Sequence, residues 1–244
     1  MIAAYLRRGM AAGLLAGLLA GLFAFSLGEP SVDQAVQIEK SSAVEPHNEV
    51  SADGQEKEVL NRSTQKLGLF FTTGLFGVTV GGLFGLTYAY FRGRLISRSE
   101  WNRSLSLAGA IFVGAFLIPF VKYPANPPSV GDPSTIGGRT ASYVAMVALS
   151  LLVVLGAWYI ARALRGRGTD APVRQLTVGL GAAAAVGVLF LALPAAPEPA
   201  EFPSGLLWSF RLSSLGTQIV FWTSLGVIFG LLCERVSRRA SLES

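Results

Sequence analysis

The sequence predicts an all-α polytopic membrane protein, six transmembrane helices with structured outer loops, on three observations. Of its 244 residues 51% are hydrophobic and only 14% charged, where a soluble domain carries nearer a quarter charged residues. The apolar residues come in long uninterrupted blocks, the pattern of membrane spans. The basic residues fall between those blocks, so a pI of about 9.7 reads as a topology signal and not as a nucleic-acid-binding surface.

Six blocks approach the ~20 residues that cross ~30 Å of hydrocarbon. They are 9–27, 67–91, 105–121, 141–160, 176–193 and 215–233, and none contains Asp, Glu, Lys, Arg or His. Together they make one transmembrane domain over residues 1–244, with an acidic loop at 28–66. The first block follows Arg7 and Arg8, as a signal peptide would. Its apolar run exceeds the roughly 7–15 residues of a signal h-region, and no A-x-A site follows, so a retained helix is expected. It carries Gly9, Gly13, Gly17 and Gly21, and the second block repeats that interval of four at Gly77, Gly81 and Gly85. Residues four apart share a helix face, so each set makes a groove that another backbone can approach. That partner is either another helix of the same bundle or a separate single-span subunit. The third block holds Pro119 near its end, where it frees a carbonyl and bends the last turn, unless it is simply tolerated there. The sixth block has Gly226 and Gly230 for a further close contact.

Charge sets the orientation. With both termini in the cytoplasm, the inner segments 1–8, 92–104, 161–175 and 234–244 hold 13 of the 20 Lys and Arg. The positive-inside rule selects that topology. It places the loops 28–66, 122–140 and 194–214 outside, with 11 of the 15 acids.

Chemistry is sparse. The single cysteine, Cys233, permits no internal disulfide, and no CxxC or HExxH is present. Nor is there an ATP-binding GxxxxGK[ST] loop or a GxSxG elbow, so no argument for an enzyme arises. The polar groups inside the blocks are hydroxyls and one amide, among them Thr73, Thr79, Thr87, Tyr88, Ser150 and Gln218. Such groups bond across helices more often than they bind a substrate. A relay through intramembrane carboxylates is therefore not expected. Carboxylates gather instead in 28–66, where Glu29 and Asp33 open a run of eight acids around His47, the chain's one histidine. Oxygen ligands with an imidazole collect divalent cations weakly; the plain alternative is a solvated acidic loop. Within EPSVDQAVQ, Ser31 and Gln34 have the spacing of a capping box, and Pro30 can precede a short helix.

The stretch KYPANPPSVGDPSTIGGRT, residues 122–140, is stiffened by Pro124, Pro127, Pro128 and Pro133. Non-helical backbone near a membrane survives only under protein or beside water. The stretch therefore reads as a fixed cap over the outer mouth, with Asn126 and Asp132 as oxygen ligands for an entering ion. The alternative is a plain turn in which Asp132 pairs with Arg139.

EPSVDQAV after the first helix, RSTQ before the second, the KYPANPP stretch, and FRLSSLGTQ leading into the sixth resemble the CbtA family of cobalt transporter subunits. The likeness runs from Leu14 to Arg235 with the motifs in order. It implies a polytopic subunit of the bacterial plasma (inner) membrane, assigned to cobalt uptake by its association with cobalamin metabolism. It also implies pairing with a small His-bearing single-span partner, CbtB. Two departures remove potential ligands. The first outer loop has only His47 where relatives are His-rich, and GDPSTIG has Ser134 where relatives carry an acid. The resulting expectation is a cobalt, or divalent-cation, uptake subunit with no permanently bound cofactor. Its ligands would be Asp132, Asn126, Glu29, Asp33 and His47. The alternative is a non-transporting scaffold that anchors the partner through its glycine faces.

Overall fold

The structure is a computed structural model that describes residues 2–42, 62–95, 99–127, 135–195 and 202–242. It is 90% helical, with no strand among the described residues. The elements are α1 (Ile2–Phe23), a π turn (Ala24–Gly28), α2 (Glu29–Ser42), α3 (Arg62–Phe91), α4 (Glu100–Phe112), a second π turn (Val113–Leu117), α5 (Ile118–Lys122), α6 (Ile136–Gly166), α7 (Ala171–Ala192) and α8 (Ser204–Leu242). Six candidate spans result: Ile2–Gly28, Gly68–Phe91, Glu100–Lys122, Ile136–Gly166, Ala171–Ala192 and Ser204–Arg238. Most of the helices run a turn or more past the uncharged blocks, because arginines and acids cap the ends of the apolar stretch without ending the helix.

The chain divides into two compact units, one of residues 1–108, 126–129 and 202–244, the other of 109–125 and 130–201. In the first, α1 and α3 pack backbone to backbone. A methyl on Gly13 would overlap the Gly77 carbonyl, one on Gly9 the Gly81 carbonyl, and one on Gly17 the Thr73 carbonyl. The glycine faces of the first two spans are therefore occupied by each other. Those of α8 are occupied too. A Cβ on Gly226 would lie 2.9 Å from Ala108 Cβ, and one on Gly230 3.2 Å from the Trp101 ring. Phe84, Tyr88, Phe221, Leu225 and Phe229 fill the core that remains between α3 and α8.

α2 is the short helix that EPSVDQAVQ suggests, but it does not start at a capping box. It continues from α1 through the π turn, so Ser31 has no free helix start to cap. Its hydroxyl instead meets Ser209 Oγ of α8 at 2.9 Å.

The second unit is thinner. α6 and α7 are joined by a four-residue turn in which Gly168 takes φ 75°, the left-handed conformation that closes a helix end. Its amide bonds Arg165 O at 3.0 Å, and the Thr169 amide bonds Leu164 O at 3.1 Å. Asp170 and Pro172 then start α7, which buries none of its residues within the chain. Apolar side chains such as Leu176, Leu180 and Leu191 face outward, as expected of a helix in contact with lipid.

Candidate functional site

Of the five expected ligands, Asp132 and His47 lie outside the described residues, and Glu29 is described only as the first backbone position of α2. Asp33 sits half-buried on α2. Asn126 has a definite place: its Oδ1 accepts a hydrogen bond from Arg211 Nη2 of α8 at 3.1 Å. A guanidinium at that distance puts positive charge where a cation would have to bind. Asn126 thus serves first to hold its own position in the first unit to α8, next to the buried Pro127. Arg211 also lies 5.9 Å from the Trp208 ring centre. Ser213 Oγ donates to Leu27 O at 2.9 Å, tying the π turn after α1 to the same stretch of α8.

In the second unit, residues just before Asn126 in sequence are anchored as firmly. Lys122 Nζ donates to Phe190 O at 2.8 Å, and Tyr123 Oη to Pro194 O at 2.7 Å. The Phe190 carbonyl is one of the last of α7 and has no helical donor, so the lysine completes it; the Pro194 carbonyl lies just beyond the helix. Burial holds the Tyr123 phenol above its ordinary range.

The intramembrane hydroxyls mostly turn back on their own helices. Thr79 donates to Leu75 O at 3.1 Å and Thr87 to Leu83 O at 2.8 Å; Thr73 bonds Phe70 O at 3.2 Å. Two serines bond across instead, Ser104 to Gly226 O at 2.7 Å and Ser150 to Gly114 O at 2.5 Å. A groove of about 440 Å³ beside α1 and α3, lined by Leu14, Leu18, Phe71, Leu75 and Val78 among others, offers a cation no polar side chain.

At the opposite end of the first unit lies a charged cluster that sequence reasoning passed over as loop. Glu100, 6% exposed, accepts from Arg92 Nη2 at 2.6 Å and from Arg103 Nη1 at 3.3 Å. The buried Tyr88 hydroxyl donates to its other oxygen. The Arg92 and Arg8 guanidiniums flank the Tyr5 ring, 5.2 and 5.5 Å from its centre. The Tyr88 and Phe229 rings meet edge-on at 4.8 Å. The Glu100 carboxylate raises the proton affinity of Arg92, with burial opposing. One sign of this cluster is legible in the sequence, the Glu100–Arg103 spacing of three. The pairing with Tyr88 and Arg92 depends on how the chain turns between α3 and α4.

Among the described residues no three His, Cys, Asp or Glu side chains gather closely enough to hold a metal ion. Glu100 is the one buried acid among them, and its oxygens are already taken by two arginines and a tyrosine. The chain matches no curated protein and no solved structure. A family model described as "Probable cobalt transporter subunit (CbtA)" matches residues 2–234. With six candidate spans carrying that match, the chain is an integral membrane subunit belonging to the CbtA family of probable cobalt transporter subunits.

Proposed function

We propose that this subunit admits a divalent cation, cobalt by family, through an outer mouth whose attraction comes from the carboxylates of 28–66 and from Asp132. The observation that carries this reading is the state of Glu100. The one acid buried among the described residues is neutralised within the chain, which supports a reading in which the attracting charge comes from 28–66 and Asp132. Clustered carboxylates raise the local concentration of divalent ions and supply the oxygen ligands such ions accept. Both termini are assigned to the cytoplasm of a bacterial cell, with the loops outside, on the arginine distribution. The partner is a small single-span, His-bearing subunit of the CbtB kind, supplying the imidazoles that 28–66 lacks. The chain itself performs no covalent chemistry.

Uptake of labelled cobalt into cells, per molecule of membrane protein and with and without the partner, tests this reading. Asp132→Asn should reduce uptake, most at low metal and low ionic strength where screening is weakest; Glu29→Gln and Asp33→Asn should do so less. Unchanged uptake in all three would refute the entry mechanism; the scaffold alternative is not helped by it, since the glycine faces it needs are filled within the chain. Reporter fusions at Ser244 and Ala52 should lie on opposite sides of the membrane.

A further inference from the structure

The second unit has a small core. Its fully buried described residues are Gly114, Pro119, Met146 and Ser150, and Ser150 meets Gly114 at a backbone defect that runs up to Pro119. The π turn Val113–Leu117 shifts hydrogen bonding by one residue, so that the Ile118 amide bonds Val113 O. In that register Gly114 O should receive the amide of residue 119. Residue 119 is proline and has none. A buried carbonyl without a donor is costly in a membrane interior.

Ser150 Oγ, on α6, lies 2.5 Å from Gly114 O. Its own Met146 carbonyl is 2.7 Å away, but α6 supplies that oxygen with a backbone amide. The one hydroxyl proton is therefore needed at Gly114. Approach is close because position 114 is glycine: a Cβ there would stand 3.1 Å from Leu151 Cδ2 and from Val154 Cγ2. The Phe112, Phe116 and Phe120 rings stack in sequence along the same helix at 5.9 and 5.1 Å, carrying its direction across the defect to Lys122 and Tyr123. Sequence and structure repeat the device once. AFSLGEP sets a π turn at Ala24–Gly28 two residues ahead of Pro30, as VGAFLIP sets one two residues ahead of Pro119.

We propose that Ser150 is a positioning residue for transport, supplying the hydrogen bond that Pro119 cannot and so setting where the third span delivers the Lys122–Ala125 segment. The role in transport rests on the function proposed above. The hydrogen-bond exchange between Ser150 and Pro119 does not.

The test uses the full chain with three changes: Ser150→Ala, the double variant Ser150→Ala with Pro119→Ala, and Thr177→Val as control. Thr177 bonds only its own helix, at Val173 O and 2.8 Å. Cobalt uptake per molecule should fall roughly tenfold in Ser150→Ala, the scale set by one unmet buried acceptor. Amide exchange over residues 120–125 of the purified protein should quicken by a similar factor. Alanine at 119 restores an amide to Gly114 O, so the double variant should recover both, and Thr177→Val should match the wild type. Wild-type uptake and exchange in Ser150→Ala would overturn the proposal, as would a double variant no better than the single one. If Ser150→Ala fails to accumulate, recovered abundance in the double variant supports the exchange of donors, and continued absence overturns it. A wild type without uptake would instead sink the transport reading, and the exchange rates would still decide the Ser150–Pro119 relation.

Discussion

Between α1 and α3, a carbonyl of one helix occupies the space where a glycine of the other would carry its Cβ. Between α6 and α7, Gly156, Gly179, Gly181 and Gly187 would each carry a Cβ without meeting an atom of the described residues within 4 Å. Both pairs are apolar and of similar length, and both include small residues four apart. In the first pair the glycine track Gly9–Gly13–Gly17 meets a matching track, Gly77–Gly81–Gly85, in antiparallel register. In the second, α7 has Gly179 and Gly187 on one face with Ala183 between them, but no backbone of the described residues comes within 4 Å of a Cβ built on either glycine. Water exclusion cannot drive helices together in lipid, so close packing develops only where both surfaces permit approach. A small-residue interval is half of an interface.

The most severe test of this contrast is a leucine in each pair. Gly13→Leu should separate α1 from α3 at a cost of at least about 3 kcal/mol, because backbone atoms cannot yield as side chains do. Thermal unfolding in detergent and the yield of membrane-inserted protein would measure it. Gly181→Leu should leave both unchanged. Equal losses at the two positions would show that α7 is as tightly covered as α1.

The first unit is also locked by charge, at Glu100. Glu100→Ala should cost about 3 kcal/mol, the low end for breaking a buried pair, because Arg92 keeps 34% of its side-chain surface in solvent. Tyr88→Phe should cost less, since Glu100 retains both arginines. A Glu100→Ala protein as stable as the wild type would mean that the cluster does not hold the α3–α4 turn.

Smaller effects sort the hydroxyls. Ser104→Ala removes a buried bond to Gly226 O and should cost about 1 kcal/mol. Thr87→Val removes one to its own helix and should stay within about 0.5 kcal/mol, as a local back-bond contributes little. A reversed order would restore to the threonines the cross-helix role that the sequence suggested for them.

Much of the architecture was legible beforehand. Hydropathy located six spans because a helix core must be uncharged over ~20 residues, and structural boundaries differ where polar ends continue the helix. The glycine intervals of α1 and α3 pointed to close packing. The interval Gly179–Ala183–Gly187 of α7 meets no described atom at its glycines, since an interval in one helix says nothing about its partner. Asn126 was legible as a polar residue in a rigid segment, but its partner was not: Arg211 lies 85 residues away.

By itself, the sequence determined the membrane class, the number of spans and the family. Each of these follows from composition, periodicity or local motif. Only the tertiary structure decided which glycine faces meet, that Glu100 is neutralised, and that Ser150 completes the carbonyl exposed by Pro119. Those outcomes depend on distances between groups that mostly sit on different elements, which no local motif states. A backbone acceptor or a buried charge must find its partner wherever packing brings one within about 3 Å.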